Sequence, residues 1–348
     1  MSEASDTARA VRRAGIIFGV ILVAAITMVL AWLVPEAKRI KRDRETQSRD
    51  QRAGSDMVRV AGGSFEMGAN DGGRDEQPKH NVTVNPFWMD RTEVTNEEFA
   101  RFVKATGYLT TAELTQQGQA QAGSWCFKPG ADAKAAARRT WIVFVAGASW
   151  RRPHGKNGEG SDIEGRKKFP VVHVSWDDAV AYCKWAKKRL PTEAEWECAA
   201  RGGVLLTRYP WGSELAEGGR WRANSWQGDF PAKDDALDGF AGLAPVASFP
   251  PNGSGLRDLA GNVAEWCADW YGHDYYAQLR PDPRLAAHRN PHGPETGIDP
   301  AEPGVSKRVV RGGSFLSGAE ECRVSARGKE APDFSAEWIG FRCVKDAQ

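Results

Sequence analysis

The spacing of apolar and polar positions along this chain changes abruptly after its first tenth. Residues 14–34 form a run of 21 residues without a charged side chain, about the length that a helix needs to cross a bilayer. The run is longer than the apolar core of a secretory signal, and no clear small-x-small cleavage site follows it. We therefore expect an N-terminal tail at 1–13 and an uncleaved transmembrane anchor at 14–34. A cleaved signal peptide is the alternative.

Further along, three segments combine helical apolar spacing with a capping box, in which a side-chain oxygen and an acid three residues later satisfy free backbone N–H groups. The pattern predicts three amphipathic helices that pack on a core, and we assign them no chemistry. The boxes and segments are Thr95-x-x-Glu98 before 96–106, Ser175-x-x-Asp178 before 176–190, and Thr192-x-x-Glu195 before 193–201.

Short segments with β pattern alternate with turns, which predicts several short strands. The predicted strands lie within 57–68, 80–90, 244–249, 308–315 and 339–344. Residues 145–168 and 280–306 show no periodicity, and the prolines of the second region predict a loop. The charged stretch 35–55 is typical of a solvated linker, so we expect one globular domain at 56–346.

Composition narrows the function classes. The 47 Lys and Arg residues nearly balance 45 Asp and Glu, so no strong field favours a nucleic-acid partner. The counts of 37 Gly, 19 Pro and 14 Trp are typical of an irregular backbone held by large aromatic side chains. With 41% hydrophobic residues, the chain does not have the composition of a disordered protein.

Several long segments occur in an order that points to one family. They are VAGGSFEMG (60–68), DEQPKHNVTVNPFWMDRTEVTNEEFARFV (75–103), FPVVHVSWDDAVAYCKWAKKRLPTEAEWE (169–197), FPPNGSGLRDLAGNVAEW (249–266) and RGGSF…GFRC (311–343). Together they resemble the sulfatase-modifying-factor domain of the formylglycine-generating enzymes. The resemblance implies an α+β variant of the C-type-lectin-like architecture with little regular secondary structure.

The resemblance also implies two structural calcium sites. Ca²⁺ takes six to eight oxygen ligands, and glycine-rich loops can present backbone carbonyls to it. The alternative is that the same Asn and Asp side chains bond their own backbone in Asx turns. The implied donors are the Asn224 and Asp238 side chains with the Ser225 and Phe240 carbonyls, and the Asp258 and Glu265 side chains with the Gly261 and Val263 carbonyls.

The six cysteines include no C-x-x-C pair, so a zinc ribbon or thioredoxin-type site is not expected. Cys183 and Cys343 match two positions that form a disulfide in secreted members of the family, which implies the same bond here. Disulfides persist in oxidising compartments. We interpret Cys126, Cys198 and Cys267 as small hydrophobic side chains.

The segment 311–343, which we call the reactive segment, departs from the family at its two thiols. In the active enzymes two thiolates spaced Cys-x4-Cys hold Cu(I), and O₂ oxidises a substrate cysteine to an aldehyde. Counting forward from Ser314 places Ser317 and Cys322 at those positions. Counting back from GFRC, the segment is three residues shorter, and Cys322 matches neither thiol. Because a serine hydroxyl is a hard, weak ligand for Cu(I), copper at Cys322 would need a further thiol.

Basic residues flank both ends of the apolar run, so their count alone would keep the domain in the cytoplasm. Long domains can be exported despite such charges, and the implied disulfide and calcium sites favour an extracytoplasmic, periplasmic domain. The spacing of His288 and His292 with Glu295 superficially resembles an iron motif of distant relatives. Prolines within that stretch exclude a helix that presents both imidazoles on one face, so we reject it.

Two functions remain open. The first is a membrane-anchored extracytoplasmic oxidoreductase that matures a protein or peptide, such as a sulfatase or another exported protein, with Ser314, Ser317 and Cys322 as candidate catalytic residues. The second is a catalytically inactive paralogue that serves as a calcium-stabilised module for binding a peptide or protein.

Overall fold

The structure is a computed structural model, and the chain divides into two units, Met1–Asp56 and Met57–Gln348. It describes residues 56–115, 121–130, 140–155, 163–203, 207–279 and 288–347. The predicted tail, anchor and linker at 1–55 lie outside the described residues. Within the described ranges, no helix is both long and apolar enough to cross a membrane.

Each of the three predicted helices begins at its predicted capping box. Helix α1 spans Asn96–Thr106, α2 spans Trp176–Trp185 and α3 spans Glu193–Arg201, and in each the N-cap hydroxyl accepts from the backbone N–H three residues later. Gly107 and Gly202 end α1 and α3 with left-handed backbone conformations, as expected of a C-cap glycine. The short helix α4 spans Tyr275–Gln278.

The strands form several small sheets, so regular structure is sparse. Two sheets have three strands, in the orders β1–β4–β14 and β10–β3–β2, one has four in the order β12–β11–β9–β13, and β5–β6 and β7–β8 form hairpins. The strands are β1 (Met57–Val60), β2 (Gly63–Met67), β3 (His80–Val84), β4 (Phe87–Asp90), β5 (Gly123–Phe127), β6 (Ile142–Ala146), β7 (Ala216–Glu217), β8 (Arg220–Trp221), β9 (Ala264–Trp270), β10 (His288–Arg289), β11 (Arg308–Arg311), β12 (Arg327–Glu330), β13 (Ile339–Gly340) and β14 (Val344–Asp346).

Two large apolar clusters hold these elements together. In one, α3 packs through Trp196 on β1–β4 and the centre of β9. In the other, α1 and α2 pack through Phe99 and Tyr182 on Phe341 of the C-terminal segment. The apolar side chains of both clusters are excluded from water, which provides the main favourable free energy of folding. Both clusters reach β9, which therefore lies at the centre of the domain.

One strand prediction and part of one loop prediction were wrong. Residues 244–249 are a loop, because Ala247 has a left-handed backbone (φ +64°) and its N–H donates to the Asp258 carboxylate rather than to a strand. Within 280–306, predicted as loop, His288–Arg289 pairs in parallel with Val82 and Thr83 of β3. Pairing with an existing edge strand supplies partners that the local sequence does not reveal.

Candidate functional site

The reactive segment begins where β11 leaves the four-stranded sheet. Arg311 ends the strand, and Gly312 and Gly313 turn the chain with φ of +93° and +69°. A β-carbon at Gly313 would lie 3.0 Å from the Glu321 carbonyl oxygen and 3.1 Å from the Ser317 hydroxyl, so the turn needs a glycine. The turn opens onto a cleft of about 270 Å³. Its lining includes Gly313, Ser314, Ser317, Glu321, Arg327 and Trp338.

The two candidate serines hold the turn closed. The Ser314 N–H donates to the Ser317 hydroxyl at 3.0 Å, and the Ser317 N–H donates back to the Ser314 carbonyl at 2.9 Å. The Ser314 hydroxyl accepts from the Leu316 N–H at 3.2 Å. These are local side chain to backbone bonds of the kind that stabilise turns. The structure therefore gives both hydroxyls a role in shaping the cleft wall.

Cys322 lies behind this wall and not in the cleft. Its side chain is fully buried and packs in a small apolar cluster with Tyr209, Ala223 and Ala260. Burial, and to a lesser extent the charge of Glu321, raises the pKa of the Cys322 thiol to about 12. The thiol is therefore neutral near pH 7, whereas a copper ligand is a thiolate.

A two-thiolate copper site does not fit these residues. Ser317 contributes a hydroxyl to the cleft, while Cys322 contributes a protonated thiol to a different, apolar environment. The hydroxyl is already a hydrogen-bond acceptor within its own turn. Of the three candidate catalytic residues, Ser314 and Ser317 line the cleft and Cys322 does not.

A buried ion network fixes the base of the reactive segment. The Arg311 guanidinium, fully buried, donates to Glu193 at 2.9 Å and to Glu197 at 2.6 Å, both on α3. Arg327 of β12 donates to the two Glu193 oxygens at 2.7 and 2.8 Å. Charge-assisted, partly bidentate bonds of this kind specify geometry. The network thus orients both strands that flank the cleft.

The first set of predicted calcium donors lies together. The Asn224 Nδ2 donates to the carbonyl of Gly242 at 2.8 Å, whereas its Oδ1 is buried and has no hydrogen-bond partner. The Asp238 carboxylate accepts from the Ser225 N–H at 2.8 Å. It also accepts from the Phe240 N–H at 2.9 Å, which is the Asx turn considered as the alternative. The turn and a cation are compatible, and the unpartnered Asn224 oxygen fits a bound cation.

The second set contains an excess of buried negative charge. Glu265 is bonded through both oxygens to Arg342, at 2.6 and 2.7 Å. Asp258 and Glu93 are also buried near this guanidinium, and one Glu93 oxygen has no hydrogen-bond partner. Three carboxyl groups lie beside one guanidinium, so the site has room in its charge balance for an additional cation. Glu265 would then contact both that cation and Arg342. Glu93 was not among the predicted donors, because it lies far along the chain from them and no motif connects it to them.

A turn glycine, Gly261, lies between the two predicted calcium regions. Gly261 (φ +73°) forms a bridge with Asn224, and a β-carbon there would lie 1.9 Å from the Asn224 carbonyl oxygen. The Gly261 and Val263 carbonyls belong to the connection that leads into β9. Close backbone approach at Gly261 therefore brings the two predicted calcium regions next to each other.

The predicted disulfide partners lie side by side in the core. The Cys183 and Cys343 sulfur atoms are 3.1 Å apart, and both are free thiols in the structure. A disulfide bond has a length of about 2.05 Å, so the structure brings the pair together without forming the bond. Cys126 and Cys267 are buried and Cys198 is partly buried, as expected.

The structure also gathers Cys126, His173 and Glu337, which the sequence analysis did not connect. Their separation along the chain leaves no motif that could have indicated this cluster. Conversely, His288, His292 and Glu295 are not among the side chains that could jointly hold a metal in the described ranges.

Comparison with known proteins places this geometry in a family. The model of the "sulfatase-modifying factor enzyme 1-like domain" matches residues 42–347. The formylglycine-generating enzyme of Streptomyces coelicolor is 49% identical over 299 residues, which cover 84% of this chain and 89% of that protein. The protein named inactive C-alpha-formylglycine-generating enzyme 2 of Bos taurus is 40% identical over 308 residues, which cover 84% of this chain and 88% of that protein.

Solved structures have the same architecture. PvdO from Pseudomonas aeruginosa superposes with a TM-score of 0.58 at 27% identity, covering 84% of this chain and 94% of that one. Treponema denticola variable protein 1 gives a TM-score of 0.55 at 22% identity, with 84% and 95% covered, which shows the fold alone. The expected fold, with both helices and strands and little regular secondary structure, is confirmed.

Proposed function

Because the chain belongs to the sulfatase-modifying factor family, we propose that it binds an extended peptide segment of a protein client in the cleft of the reactive segment and does not carry out copper-dependent oxidation. We further propose that residues 14–34 anchor it in a membrane with the domain on the periplasmic side. The relatives include both enzymes and a protein named inactive, so family membership is compatible with either behaviour.

The burial of Cys322 is the observation that carries this proposal. A copper enzyme of this family type needs two thiolates at the substrate, whereas this chain has a serine in the cleft and one protonated thiol behind it. Exposing that thiol would break the apolar packing around Tyr209 and Ala260. Copper binding would therefore require a rearrangement of the cleft wall.

The cleft has features that suit an extended peptide. Its lining includes residues 328–330 of β12, which is an edge strand of the four-stranded sheet. An edge strand can accept a further strand through main-chain hydrogen bonds. Trp338 supplies an apolar wall, and Glu321 supplies a negative charge. A larger cavity of about 510 Å³ lies elsewhere, beside α2 and β14, and includes none of these groups.

Calcium is part of the proposal as a structural ion. The Asn224 and Asp238 oxygens with the neighbouring carbonyls would hold one ion, and Asp258 with Glu265 would contribute to a second. Ca²⁺ there would neutralise buried carboxylates and fix the loops that lead into β9. A strong calcium chelator should lower the midpoint of thermal unfolding, and a midpoint indifferent to the chelator would contradict both sites.

An oxidoreductase acting on a sulfatase or another exported protein is the second candidate. The 49% identity to the Streptomyces coelicolor formylglycine-generating enzyme favours it. Identity over the whole domain reflects mainly the shared fold, whereas the chemistry depends on a few side chains of the cleft. We therefore rank it second.

One experiment separates the two candidates. The full chain, purified in mild detergent, is incubated with Cu(I) and a fluorescent cysteine-containing peptide, and bound copper, O₂ consumption and peptide anisotropy are recorded together. We expect saturable peptide binding without stoichiometric copper and without O₂ consumption. Replacing the peptide cysteine by serine should change the affinity little, since no thiol–copper bond contributes.

A cleft-filling variant provides the control. Ser317→Phe should weaken peptide binding at least tenfold, while Ser213→Phe, at an exposed position that is not part of the cleft lining, should leave it unchanged. Stoichiometric copper together with O₂ turnover in the wild-type protein would overturn the binding-only function. Loss of that turnover in Cys322→Ser would then identify Cys322 as the ligand.

A further inference from the structure

Three side chains from distant parts of the chain meet at a buried point outside the cleft. Cys126 lies on β5, His173 lies two residues before the N-cap of α2, and Glu337 lies two residues before β13. One sulfur, one imidazole nitrogen and one carboxylate oxygen lie within 4.8 Å of one another. Within the part of the chain that the structure describes, this is the one group of three or more such side chains close enough to hold a metal ion.

The backbone fixes the three side chains in place. The Glu337 N–H donates to the carbonyl of Trp125 at 3.1 Å, and the Phe127 N–H donates to a Glu337 carboxylate oxygen at 2.8 Å. The His173 N–H donates to the carbonyl of Ala336 at 2.9 Å. The cluster is therefore held by β5, by the turn before α2 and by the segment before β13, and not by one flexible loop.

His173 is the least satisfied member of the cluster. Its side chain is fully buried, and neither ring nitrogen has a hydrogen-bond partner. Its backbone is left-handed, with φ of +57°, which is uncommon for a residue other than glycine. Buried polar groups normally have partners, and an exception requires an explanation such as an unseen ion.

We propose that Cys126, His173 and Glu337 bind one divalent transition metal ion of the zinc class. Sulfur, imidazole nitrogen and carboxylate oxygen are zinc donors at about 2.0–2.3 Å, so atoms already within 4.8 Å need only a small side-chain adjustment. Burial, and then the charge of Glu337, raises the pKa of the Cys126 thiol, so the ion has to displace the thiol proton when it binds. The resulting thiolate and the carboxylate together balance the charge of the ion, which removes the cost of burying a net charge.

The burial of the three side chains indicates whether the bound ion is structural or catalytic. Cys126 is 4% exposed and Glu337 is 7% exposed, so a substrate does not reach the cluster without opening the hairpin β5–β6. The ion is therefore structural. It joins the hairpin to the segment that carries Trp338, which lines the cleft of the reactive segment.

The proposal is tested by metal analysis of the full chain purified without chelators in zinc-supplemented buffer. We expect one equivalent of Zn²⁺ per chain, and Co²⁺ substitution should give a thiolate-to-cobalt charge-transfer band. Glu337→Gln and His173→Asn should each lower the zinc affinity at least tenfold. These variants preserve the fold, because Gln keeps the acceptor for the Phe127 N–H and Asn tolerates a left-handed backbone.

The matched control is Cys198→Ser, at a thiol outside the cluster, which should retain the zinc and the cobalt band. Cys126→Ser should lose the band while the zinc content falls. The proposal is overturned when the wild-type protein contains no zinc at saturating concentration, or when Glu337→Gln and His173→Asn bind zinc as tightly as the wild type.

Discussion

Removing the guanidinium of Arg342 should destabilise the domain more than any surface substitution. Arg342 is fully buried and forms a bidentate pair with Glu265, at 2.6 and 2.7 Å. It also donates to four backbone carbonyls, those of Asp90, Arg91, Arg257 and Asp258. Arg342→Met keeps an unbranched apolar side chain at this position and removes the guanidinium with its charge.

The size of the destabilisation follows from the carboxylates that remain buried after the substitution. Glu265 keeps one hydrogen bond, from the Trp196 indole at 2.8 Å, and lies with Glu93 and Asp258 in a site without a protein cation. Breaking a buried pair by removing one partner costs about 3–5 kcal/mol, because the other charge stays desolvated. In a large domain this corresponds to a fall in Tm of roughly 6–20 °C.

The assay is thermal unfolding followed by tryptophan fluorescence, with and without added calcium. The fall in Tm caused by Arg342→Met should be smaller with calcium, since a bound cation would compensate part of the excess negative charge. Arg189→Met is the control, because Arg189 is partly exposed, with 39% side-chain exposure, and its ion pairs are worth about 1 kcal/mol or less. The double variant Arg342→Met/Glu265→Gln should be more stable than Arg342→Met alone. Equal effects of Arg342→Met and Arg189→Met would refute the reasoning.

Three further predictions concern the backbone, the thiols and pH. In thermal unfolding, Gly261→Ala should lower Tm much more than Gly203→Ala. Both glycines have a left-handed backbone, but only at Gly261 would the added methyl group meet a carbonyl oxygen, at 1.9 Å. Similar falls in Tm would contradict a role for the close approach of the Asn224 backbone. Under oxidising conditions, mass spectrometry should find Cys183 bonded to Cys343. In the chain-entropy model this bond stabilises the domain by about 4–5 kcal/mol, and a reductant should remove that stabilisation. Persistent free thiols would disprove the pairing. Burial, followed by the charge of Glu193, raises the pKa of Asp269 to about 8. The folded protein therefore favours the protonated carboxyl group. The stability that this preference provides is fully present below about pH 4 and is lost as the pH rises to 8. Asp269→Asn should therefore gain Tm over the wild type between pH 5 and pH 8.5, and a difference independent of pH would be inconsistent with the raised pKa.

The sequence by itself determined the helices and the family. Capping boxes at Thr95, Ser175 and Thr192 each placed a helix start correctly, because a cap depends on residues only three positions apart. The ordered segments and the glycine turn of the reactive segment likewise specify the scaffold locally.

Strand β9 shows where local pattern fails. Ala264–Trp270 is buried along nearly its whole length at the centre of the domain, so its sequence does not alternate between apolar and polar residues. Residues 244–249 show the reverse error, since an apolar alternation there belongs to a loop whose N–H groups find a distant carboxylate. Both outcomes depend on neighbours far along the chain.

Tertiary structure alone decided the chemistry of the candidate sites. The sequence placed Ser317 and Cys322 in one segment, but packing puts the first in the cleft and the second behind it, where burial keeps the thiol protonated. It likewise brings Cys126 to His173 and Glu337, across intervals that no motif spans. Protonation state and metal ligation depend on burial and on distances between atoms, and these are fixed only when the chain has folded.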